Sequence, residues 1–449
     1  MNKQLLFVFV FAFPFLSNGQ DADSSMQSFS LEQAVEYALK NHSNVKNAII
    51  DEQIAKKKVA EITGIGLPQI SGSIDVKDFL DIPTQVIPAE AFGGPPGTYS
   101  EAQFGIQYQA MGGIEVSQLL FSGDYFLGLV ASKVYVELST HNVNRTKIET
   151  AVAVSKAYYT VLVNQDRMEL MDANIKRVKT AMGGVQGLAH YGFAEKIDYD
   201  RLKVTYNNLL TEKQKLARLL EVGTFLLKYQ MGLDVNQPIS LTDQLDNYSF
   251  DVADSTENTS TAFTKRAEFN ILNTQLKLDK LELKRNRLSF IPSAHLYGSF
   301  SKNGFNNKFD FLNSQQIWYP TSVIGGTIKV PIFTGTQQHA KTQQAKLNVE
   351  KAENTLRDLE NAIALEIANA KTNLINATSS LEHQKKNIEI ATEVVRITKI
   401  KFEQGVGTNL EIVSAEEALK ESQINYYNTL YEAIIAKIDY DKAVGSITY

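Results

Sequence analysis

The 449-residue chain contains no cysteine. That absence excludes disulfide frameworks, thiolate metal sites and cysteine nucleophiles. It also excludes a lipid-modified N-terminal cysteine, so any attachment to a membrane has to come from the fold. Histidine is scarce as well, and the six histidines, His190 and His383 among them, lack the spacing of metal ligands. We therefore expect neither a metal ion nor another cofactor.

Long apolar runs are absent after the first twenty residues, whereas a membrane-spanning helix needs about twenty apolar residues in a row. The apolar run over residues 5–16 follows Met1-Asn2-Lys3 and precedes a small polar stretch at 17–20. This arrangement is typical of a secretory signal peptide, which we assign to residues 1–20; a buried N-terminal helix is the alternative. If the remaining chain lies in a membrane, it has to do so as a closed β-barrel.

An excess of basic residues is also missing, since 45 Lys and Arg stand against 50 Asp and Glu for a net charge of −5. Phosphate binding needs a basic surface, so no nucleic-acid partner is expected. Gly64-Ile65-Gly66 lacks the third glycine and the strand-to-helix context of a dinucleotide-binding loop. Because no pairing of a nucleophile with a base is evident either, we do not expect an enzyme.

Proline is absent from residues 123–182 and 335–404, and the first stretch has no glycine besides Gly123 and Gly128. Two helices of roughly 60 to 70 residues, each on the order of 90 to 105 Å long, are predicted there. Return helices are predicted over 195–230 and 409–444. In the second long helix the apolar residues follow the three-and-four spacing of a coiled-coil seam: Leu356, Leu359, Ile363, Ile367, Ala370, Leu374, Ala377, Leu381, Ile388, Ala391, Val395 and Phe402.

The chain consists of two copies of one unit. Phe121-Ser122-Gly123 recurs as Phe333-Thr334-Gly335, at an offset of 333 − 121 = 212, and Gly192 recurs as Gly405, at 405 − 192 = 213. Leu67-Pro68 recurs as Ile291-Pro292 with a larger offset, which places one insertion in a loop between the two motifs. We predict a first repeat over 21–232, an irregular connection over 233–260 and a second repeat over 261–449.

Each repeat is predicted to contain a helix and two strands before its long helical hairpin. The leading helices span about 31–63, with Ser30 as N-cap, and about 261–290. Residues 69–77, 103–109, 293–301 and 324–332 alternate with a period of two, apolar at even positions and polar at odd ones. A half-buried soluble sheet gives the same alternation, so the strands alone do not distinguish it from a barrel.

Four strands are too few to close a barrel, and unpaired strand edges are very costly in lipid. Either the sheet is soluble or several chains share one barrel. Three chains would supply twelve strands, enough for an open lumen, with the even positions facing lipid and the odd ones facing water. The long hairpins would then pack side by side into a helical tube that continues the barrel.

Five motifs along the chain are specific to one known family: Ala38-Leu39-Lys40-Asn41, Leu67-Pro68, Leu119-Leu120-Phe121-Ser122-Gly123, Val330-Pro331-Ile332-Phe333-Thr334-Gly335 and the helix-turn-helix 402–416. On these motifs the sequence resembles the TolC-like outer membrane efflux protein family, the outer-membrane factors, over essentially its whole mature length. The resemblance implies a homotrimer that combines a coiled-coil α-helical barrel with a twelve-stranded transmembrane β-barrel. It implies a passive duct of a tripartite efflux or type I secretion system, in the bacterial outer membrane with its helices in the periplasm. A periplasmic adaptor and, through it, an inner-membrane pump are the implied partners.

The hairpin tips, near residues 183–200 and 405–416, are the predicted periplasmic gate. Asp198 and Glu411 are equivalent, with 411 − 198 = 213, and threefold symmetry would make each a ring that favours cations. The alternative is that both acids merely complement a helix dipole. Ser414 stands where many relatives carry a second acid, and Gln404 and Asn409 replace the tyrosine and arginine of the best-known members. The tip turn and adaptor-docking residues are predicted to be Gly192, Gly405, Val406, Gly407 and Thr408.

The insertion between Asp81 and Tyr99 is rich in proline and glycine and is predicted to be an exposed, irregular extracellular loop. Two other functions stay open at this point. A secreted coiled-coil spacer or adhesin would explain the heptads but not the four alternating strands. A periplasmic enzyme would need a catalytic constellation. The loop residues predicted to face the exterior are Phe92, Gly93, Gly94, Pro95, Pro96 and Gly97.

Overall fold

The computed structural model describes residues 26–192, 194–245 and 263–447. The predicted signal peptide and residues 246–260 of the predicted connection lie outside them. The described residues divide into two compact units. The first unit holds the residues up to Ala38 and those from Ala157 to 245, and the second holds Leu39–Lys156 and the residues from 263 onward. The boundaries of the two sequence repeats stay a prediction.

In the described residues a pair of long helices follows a group of strands, and this order occurs twice along the chain. Among these helices, none is both long enough and apolar enough to cross a membrane. In chain order the elements are β1 (Gln27–Phe29), α1 (Leu31–Asn41), α2 (Ser43–Ile65), β2 (Gln69–Asp78), β3 (Thr84–Pro88), β4 (Tyr99–Gln103), β5 (Tyr108–Phe121), α3 (Gly123–His190), α4 (Lys196–Met231), β6 (Ile239–Leu241), α5 (Ala267–Leu288), β7 (Ser293–Asn306), β8 (Trp318–Lys329), α6 (Gln337–Glu403) and α7 (Asn409–Val444).

The two predicted long helices are confirmed, with 68 residues in α3 and 67 in α6. The return helices α4 and α7 begin and end within one residue of the prediction. The predicted start of the first tip at residue 183 is wrong, because α3 continues through Gly183, Gly184 and Gly187 to His190. A glycine inside a helix costs only about 1 kcal/mol relative to alanine, which is too little to end a helix of this length.

The predicted coiled-coil seam of α6 is confirmed, since each of its twelve residues is buried or half-buried. The seam packs against α7 and α5, both in the same unit as α6. Ile363 and Leu374 are almost fully buried in α6, as Leu419 is in α7. Burial of one such side chain contributes about 1.5 to 3 kcal/mol, so the seam is the main source of stability in this hairpin.

The first predicted helix is wrong in one respect, because it divides at His42 into α1 and α2. The backbone of His42 is extended (φ −62, ψ 131), and its Nδ1 accepts a hydrogen bond from the backbone N–H of Asn44. The predicted cap at Ser30 is confirmed: the N–H of Gln33 donates to Ser30 Oγ, and the N–H of Ser30 donates to Gln33 Oε1. This reciprocal pair is a capping box.

Four strands form an antiparallel sheet in the order β2-β5-β7-β8. Ile70 lies opposite Val116, Ile114 opposite Phe300, and Gly298 opposite Ile324. Even-numbered residues therefore share one face, which we call the even face, and odd-numbered residues share the other, the odd face. A bulge between Leu119 and Phe121 ends this rule at the helix end of β5, where Phe121 lies opposite Ala294. The alternation predicted from the sequence is thus brought into register across all four strands.

Two predicted strand positions are corrected. The strand predicted over 103–109 lies at 108–121, and the strand predicted over 324–332 lies at 318–329. Gly112 and Gly113 lie in the middle of β5. A Cβ at Gly113 would lie 2.9 Å from the carbonyl oxygen of Phe300, so glycine permits close approach of β7 at this point.

The insertion between β2 and β5 was predicted to be irregular and is instead a hairpin of β3 and β4. Residues 80–83 face the shorter stretch 104–106, so the paired register shifts by one residue between Asp78–Tyr108 and Thr84–Gln103. A shift of one residue exchanges the faces of a strand. As a result Val86 lies opposite Glu101, and the even–odd rule of the sheet ends at this bulge.

The first unit contains a short parallel pair, β1 and β6, that the sequence did not predict. Tyr158 is fully buried there, and its hydroxyl lies 3.1 Å from the carbonyl oxygen of Phe29 and 2.9 Å from Asp243 Oδ2. The backbone N–H of Leu31 also donates to Asp243 Oδ2, at 2.8 Å. Through these bonds Tyr158, near the middle of α3, holds β1 and the start of α1 in place.

Candidate functional site

The first hairpin tip is a short turn between α3 and α4. Gly192 adopts a left-handed conformation (φ 80), and its N–H donates to the carbonyl oxygen of Ala189 at 3.2 Å. Glycine takes this conformation without the steric cost that other residues meet. Glu195 precedes α4 with an extended backbone, and its side chain makes no capping hydrogen bond. At the first tip the reversal of the chain is therefore made at Gly192, without a capping hydrogen bond from Glu195.

The second tip, between α6 and α7, is more tightly built. Gly405 has φ 75, and the N–H groups of Val406 and Gly407 both donate to the carbonyl oxygen of Lys401. A Cβ on Gly407 would lie 3.0 Å from the backbone nitrogen of Phe402, so this glycine is required for space. Thr408 is the N-cap of α7, because its Oγ1 accepts a hydrogen bond from the N–H of Glu411 at 3.3 Å.

Asp198 and Glu411 occupy the third position of α4 and α7, respectively, where the helix dipole favours an anion. Asp198 lies 3.8 Å from Arg201 one turn along, and Glu411 is exposed. The two tips belong to different compact units, and the predicted acidic rings stay a prediction. Within each unit the geometry accounts for the acids as helix-terminal residues.

The remaining predicted gate residues lie in different environments. Gln404 caps the C-terminal end of α6, where its N–H donates to the carbonyl oxygen of Ile400, and both Gln404 and Ser414 are exposed. Asn409, by contrast, has only 6% of its surface exposed at the start of α7. Its expected place at an entrance would require the side chain to leave this buried position.

Sequence reasoning missed a pair of exposed apolar side chains at the tips. Ile197 in α4 and Leu410 in α7 are equivalent, with 410 − 197 = 213, and both are more than half exposed. Val406 at the second tip is also exposed. The same offset that aligned the acids would have identified the apolar pair. Over the described residues, no three histidine or acidic side chains come together to hold a metal ion.

The even face of the four-stranded sheet is apolar and uncovered. Ile74 and Ile324 are each 86% exposed, and Ile70 and Ile328 are similarly open. Aromatic side chains lie at both ends of the sheet. At the loop end the rings of Phe311 and Trp318 are 6.3 Å apart, and at the helix end those of Phe121 and Phe126 are 5.9 Å apart.

Both outer strands of this sheet have a free edge in the part of the chain that the structure describes. β2 is paired to β5 alone over ten residues, and β8 to β7 alone over twelve. A strand edge presents unpaired N–H and C=O groups that readily accept another strand. Pro320, which cannot donate a hydrogen bond, lies in the edge strand β8.

The tip of the β3–β4 hairpin, predicted as the exterior loop, is an ordered turn. Ala89–Phe92 form one turn of 3₁₀ helix that ends at Gly93 with φ 82, and Phe92 is exposed. Gly97 has φ 79, and its N–H donates to Glu90 Oε1 at 2.7 Å. Gly94 lies against Ala89, and Pro95 accepts a hydrogen bond from Thr98 through its carbonyl oxygen.

Comparison with known proteins agrees with this architecture. Residues 270–446 match the family model described as "Outer membrane efflux protein". The outer membrane protein TolC of Vibrio cholerae is 20% identical over 340 residues, 75% of this chain and 76% of TolC. The alkaline protease secretion protein AprF of Pseudomonas aeruginosa is 22% identical over 329 residues, 73% of this chain and 66% of AprF.

The solved structure of the outer membrane protein VceC from Vibrio cholerae has the same fold. It superimposes with a TM-score of 0.71 at 15% identity and covers 92% of this chain and 96% of VceC. The matched family model includes α6, the second tip and α7, and it contains two of the motifs that carried the resemblance, 330–335 and 402–416. Residues 270–446 therefore match the outer membrane efflux protein family, and the chain as a whole has the fold of VceC.

Proposed function

We propose that the chain is the outer-membrane channel of a tripartite efflux or type I secretion system, a passive duct from the periplasm to the exterior. The observation that carries the proposal is the exposed apolar even face, bounded by aromatic side chains at both ends of the sheet. A soluble protein rarely leaves such a face open to water. An apolar band between two aromatic girdles is the pattern of a lipid-facing barrel wall.

Three copies of the chain close the barrel in this proposal. The sheet order β2-β5-β7-β8 is antiparallel throughout, so β8 of one copy meets β2 of the next in antiparallel orientation. Closure removes both free edges, whose unpaired backbone groups would otherwise be desolvated in lipid. Twelve strands leave room for an open lumen, which the polar odd face would line.

The helical hairpins carry the duct into the periplasm and bear its contacts with partners. AprF is named for protease secretion, and the family name refers to efflux, so both kinds of export are compatible with this fold. A periplasmic adaptor is expected to dock on the tips, where Ile197, Leu410 and Val406 are exposed. An inner-membrane pump, connected through the adaptor, would supply the energy.

The gate is proposed at the same tips. Asp198 and Glu411 would form acidic rings around the periplasmic entrance, while also complementing the N-terminal dipoles of α4 and α7. The two roles are compatible, because a carboxylate at the third helical position keeps part of its surface in solvent. Gln404 and Ser414 are exposed and available to line the entrance. Opening would involve movement of the hairpins, with Asn409 as a buried contact that moves with α7.

The oligomeric mass of the detergent-extracted protein tests the proposal. Light scattering with the detergent contribution subtracted should give three times the mass of one chain. A monomer that stays soluble without detergent would contradict the duct and favour a coiled-coil spacer or adhesin.

Surface labelling supplies an independent test, since the chain has no cysteine of its own. In intact cells, a membrane-impermeant maleimide should label Phe92→Cys in the β3–β4 hairpin. Leu365→Cys, which is also exposed but lies in α6, is the matched control and should be labelled only after the outer membrane is permeabilised. Equal labelling of the two variants in intact cells would contradict the proposed orientation.

A further inference from the structure

A cleft of about 490 Å³ opens at the loop end of the four-stranded sheet, where β7 and β8 meet. We call it the amide cleft. Its volume lies within the range of sites that bind small molecules. It belongs to one chain and one compact unit, so it does not depend on the assembly of the barrel. The lining residues are Ile106, Phe305, Asn306, Gln315, Gln316, Ile317 and Tyr319.

The lining combines flat apolar surfaces with neutral hydrogen-bonding groups. The rings of Phe305 and Tyr319 are 6.1 Å apart and inclined at 50°, and Tyr319 is 53% exposed. Three carboxamides, from Asn306, Gln315 and Gln316, lie beside them. Among the residues that the structure describes, no charged side chain lines the amide cleft. A fully ionised ligand would therefore find no counter-charge in it.

The cleft is preformed by hydrogen bonds within its own loop. Gln316 Nε2 donates to the carbonyl oxygen of Ile317 at 2.9 Å, and Asn306 Nδ2 donates to Gln316 Oε1 at 3.2 Å. The exposed carboxamide of Gln315 makes no hydrogen bond to the described residues. It leaves two donor hydrogens and an acceptor oxygen at the rim. A ligand can thus bind without the entropic cost of ordering the loop.

We propose that the amide cleft binds a neutral saccharide. The C–H face of a sugar ring is apolar and flat, so it can lie against Tyr319 and Phe305, while its hydroxyl groups exchange hydrogen bonds with carboxamides. A hydrocarbon would leave the Gln315 carboxamide unsatisfied, and a phosphate or carboxylate would lack a cationic partner. The site goes beyond export itself, and its sugar can be a surface glycan or a polysaccharide in transit.

The test uses the purified full chain in detergent and neutral trisaccharides, with maltotriose and mannotriose as the probes. Trp318 is the only tryptophan of the chain, and its ring lies beside Gly304 together with Nε2 of the cleft residue Gln316, so its fluorescence reports changes at the cleft. Saturation-transfer NMR on the sugar protons provides a second readout. We expect saturable binding that Tyr319→Leu and Gln315→Ala each weaken at least several-fold. Phe300→Leu is the matched control, because it removes an aromatic ring from the even face of the same sheet.

Absence of saturable binding to any neutral trisaccharide in either readout would overturn the proposal. So would binding that Tyr319→Leu and Gln315→Ala leave unchanged, or a preference for a uronic-acid trisaccharide of equal length. Intact cells incubated with dye-labelled trisaccharide distinguish the two sources of sugar. Labelling from outside indicates a surface glycan, and binding seen only with extracted protein indicates a sugar that arrives through the duct. The mass of the oligomer is measured on the same sample. A protein that is not a trimer is therefore distinguished from a trimer that does not bind saccharide.

Discussion

The guanidinium of Arg266, just before α5, donates a hydrogen bond to the carbonyl oxygen of Ala443 near the end of α7, at 2.8 Å. The same side chain bonds Glu366 of α6 at 2.9 Å and Glu268 of α5 at 3.1 Å. Arg266 thus joins the end of one short helix to the start of another, alongside the long helix that both accompany. It is only 6% exposed, so these bonds replace its hydration.

Replacement of Arg266 by methionine should reduce the free energy of unfolding by about 3 kcal/mol, because a buried ion pair loses one partner. Arg266→Lys should recover part of this loss, since it keeps the charge but not the three-way geometry. Chemical unfolding of the detergent-extracted protein measures both. An Arg266→Met protein as stable as the original would show that the three hydrogen bonds of Arg266 do not contribute to the free energy of unfolding.

The contact of Arg266 with Glu268 predicts a dependence of stability on pH. Burial acts to raise the pKa of Glu268, but hydrogen bonds from its own backbone N–H and from Arg266 outweigh it, and the pKa lies below its ordinary value of 4.5. A depressed pKa in the folded state adds stability above pH 4.5 that is lost as the pH falls through the folded-state value. Glu268→Gln should therefore flatten the acid limb of a stability profile, whereas Glu382→Gln on exposed α6 should not.

Removal of the Tyr158 hydroxyl should destabilise the first unit. Tyr158→Phe removes the hydroxyl that bonds the carbonyl oxygen of Phe29 and Asp243 Oδ2, at a cost of about 1 to 3 kcal/mol, and leaves Phe29 only the hydrogen bond from the N–H of Thr242. Limited proteolysis should then cut near β1 earlier than in the unmodified protein. Tyr135→Phe is the control, because that ring is half exposed. Identical digestion of all three proteins would contradict the role assigned to the Tyr158 hydroxyl.

The glycines of the second tip should be less tolerant than a glycine in the helix that precedes the first. Gly407→Ala places a Cβ against the backbone of Phe402, and Gly405→Ala imposes a left-handed conformation that costs roughly 1 to 2 kcal/mol. Both should reduce export in cells. Gly128→Ala meets nothing within 4 Å in α3 and should be neutral or stabilising by up to about 1 kcal/mol. Equal export by all three variants would show that the tip turn is dispensable.

Ion selectivity tests the proposed gate. A charge about 4 Å from a passing ion changes its energy by about 1 kcal/mol in water, a several-fold effect on local ion concentration. Asp198→Asn with Glu411→Gln should therefore shift the reversal potential of single channels toward anions. Glu382→Gln with Glu360→Gln, which also neutralises two acids per chain but away from the tips, is the control. Unchanged selectivity in the double variant would leave the acids with their helix-terminal role alone.

The helical part of the fold was predictable because its signals are local and repeated many times. The seam through Ile363, Leu374 and Ala391 carries the same spacing over many turns, so single exceptions do not obscure it. The cap at Ser30 was predictable for a similar reason, since a cap depends on neighbours three residues away, whereas the sequence left the cap of α7 open between Thr408 and Asn409. The cap at His42 was not predictable, because histidine is an uncommon N-cap.

The parts that could not be predicted depend on contacts between distant residues. The local sequence does not show that Gly113 lies beside Phe300, and the β1–β6 pair joins residues more than two hundred positions apart. At the tips the sequence identified the turns and the helix-terminal acids. It did not reveal that Asn409 is buried, because burial at a helix start depends on the packing of the neighbouring helix.

Because Arg266 bonds the end of α7, the start of α5 and Glu366 of α6 at one point, the length of α6 beyond that point determines the length of the second hairpin. α7 and α5, with 36 and 22 residues, lie one after the other along a helix of 67 residues. Residues added to α6 between Glu366 and the tip can be accommodated only if α7 gains the same number. One added heptad in each helix would keep the seam in phase and move the tip about 10.5 Å further from Arg266. The reach of the hairpin is thus adjustable in whole heptads without any change to the sheet.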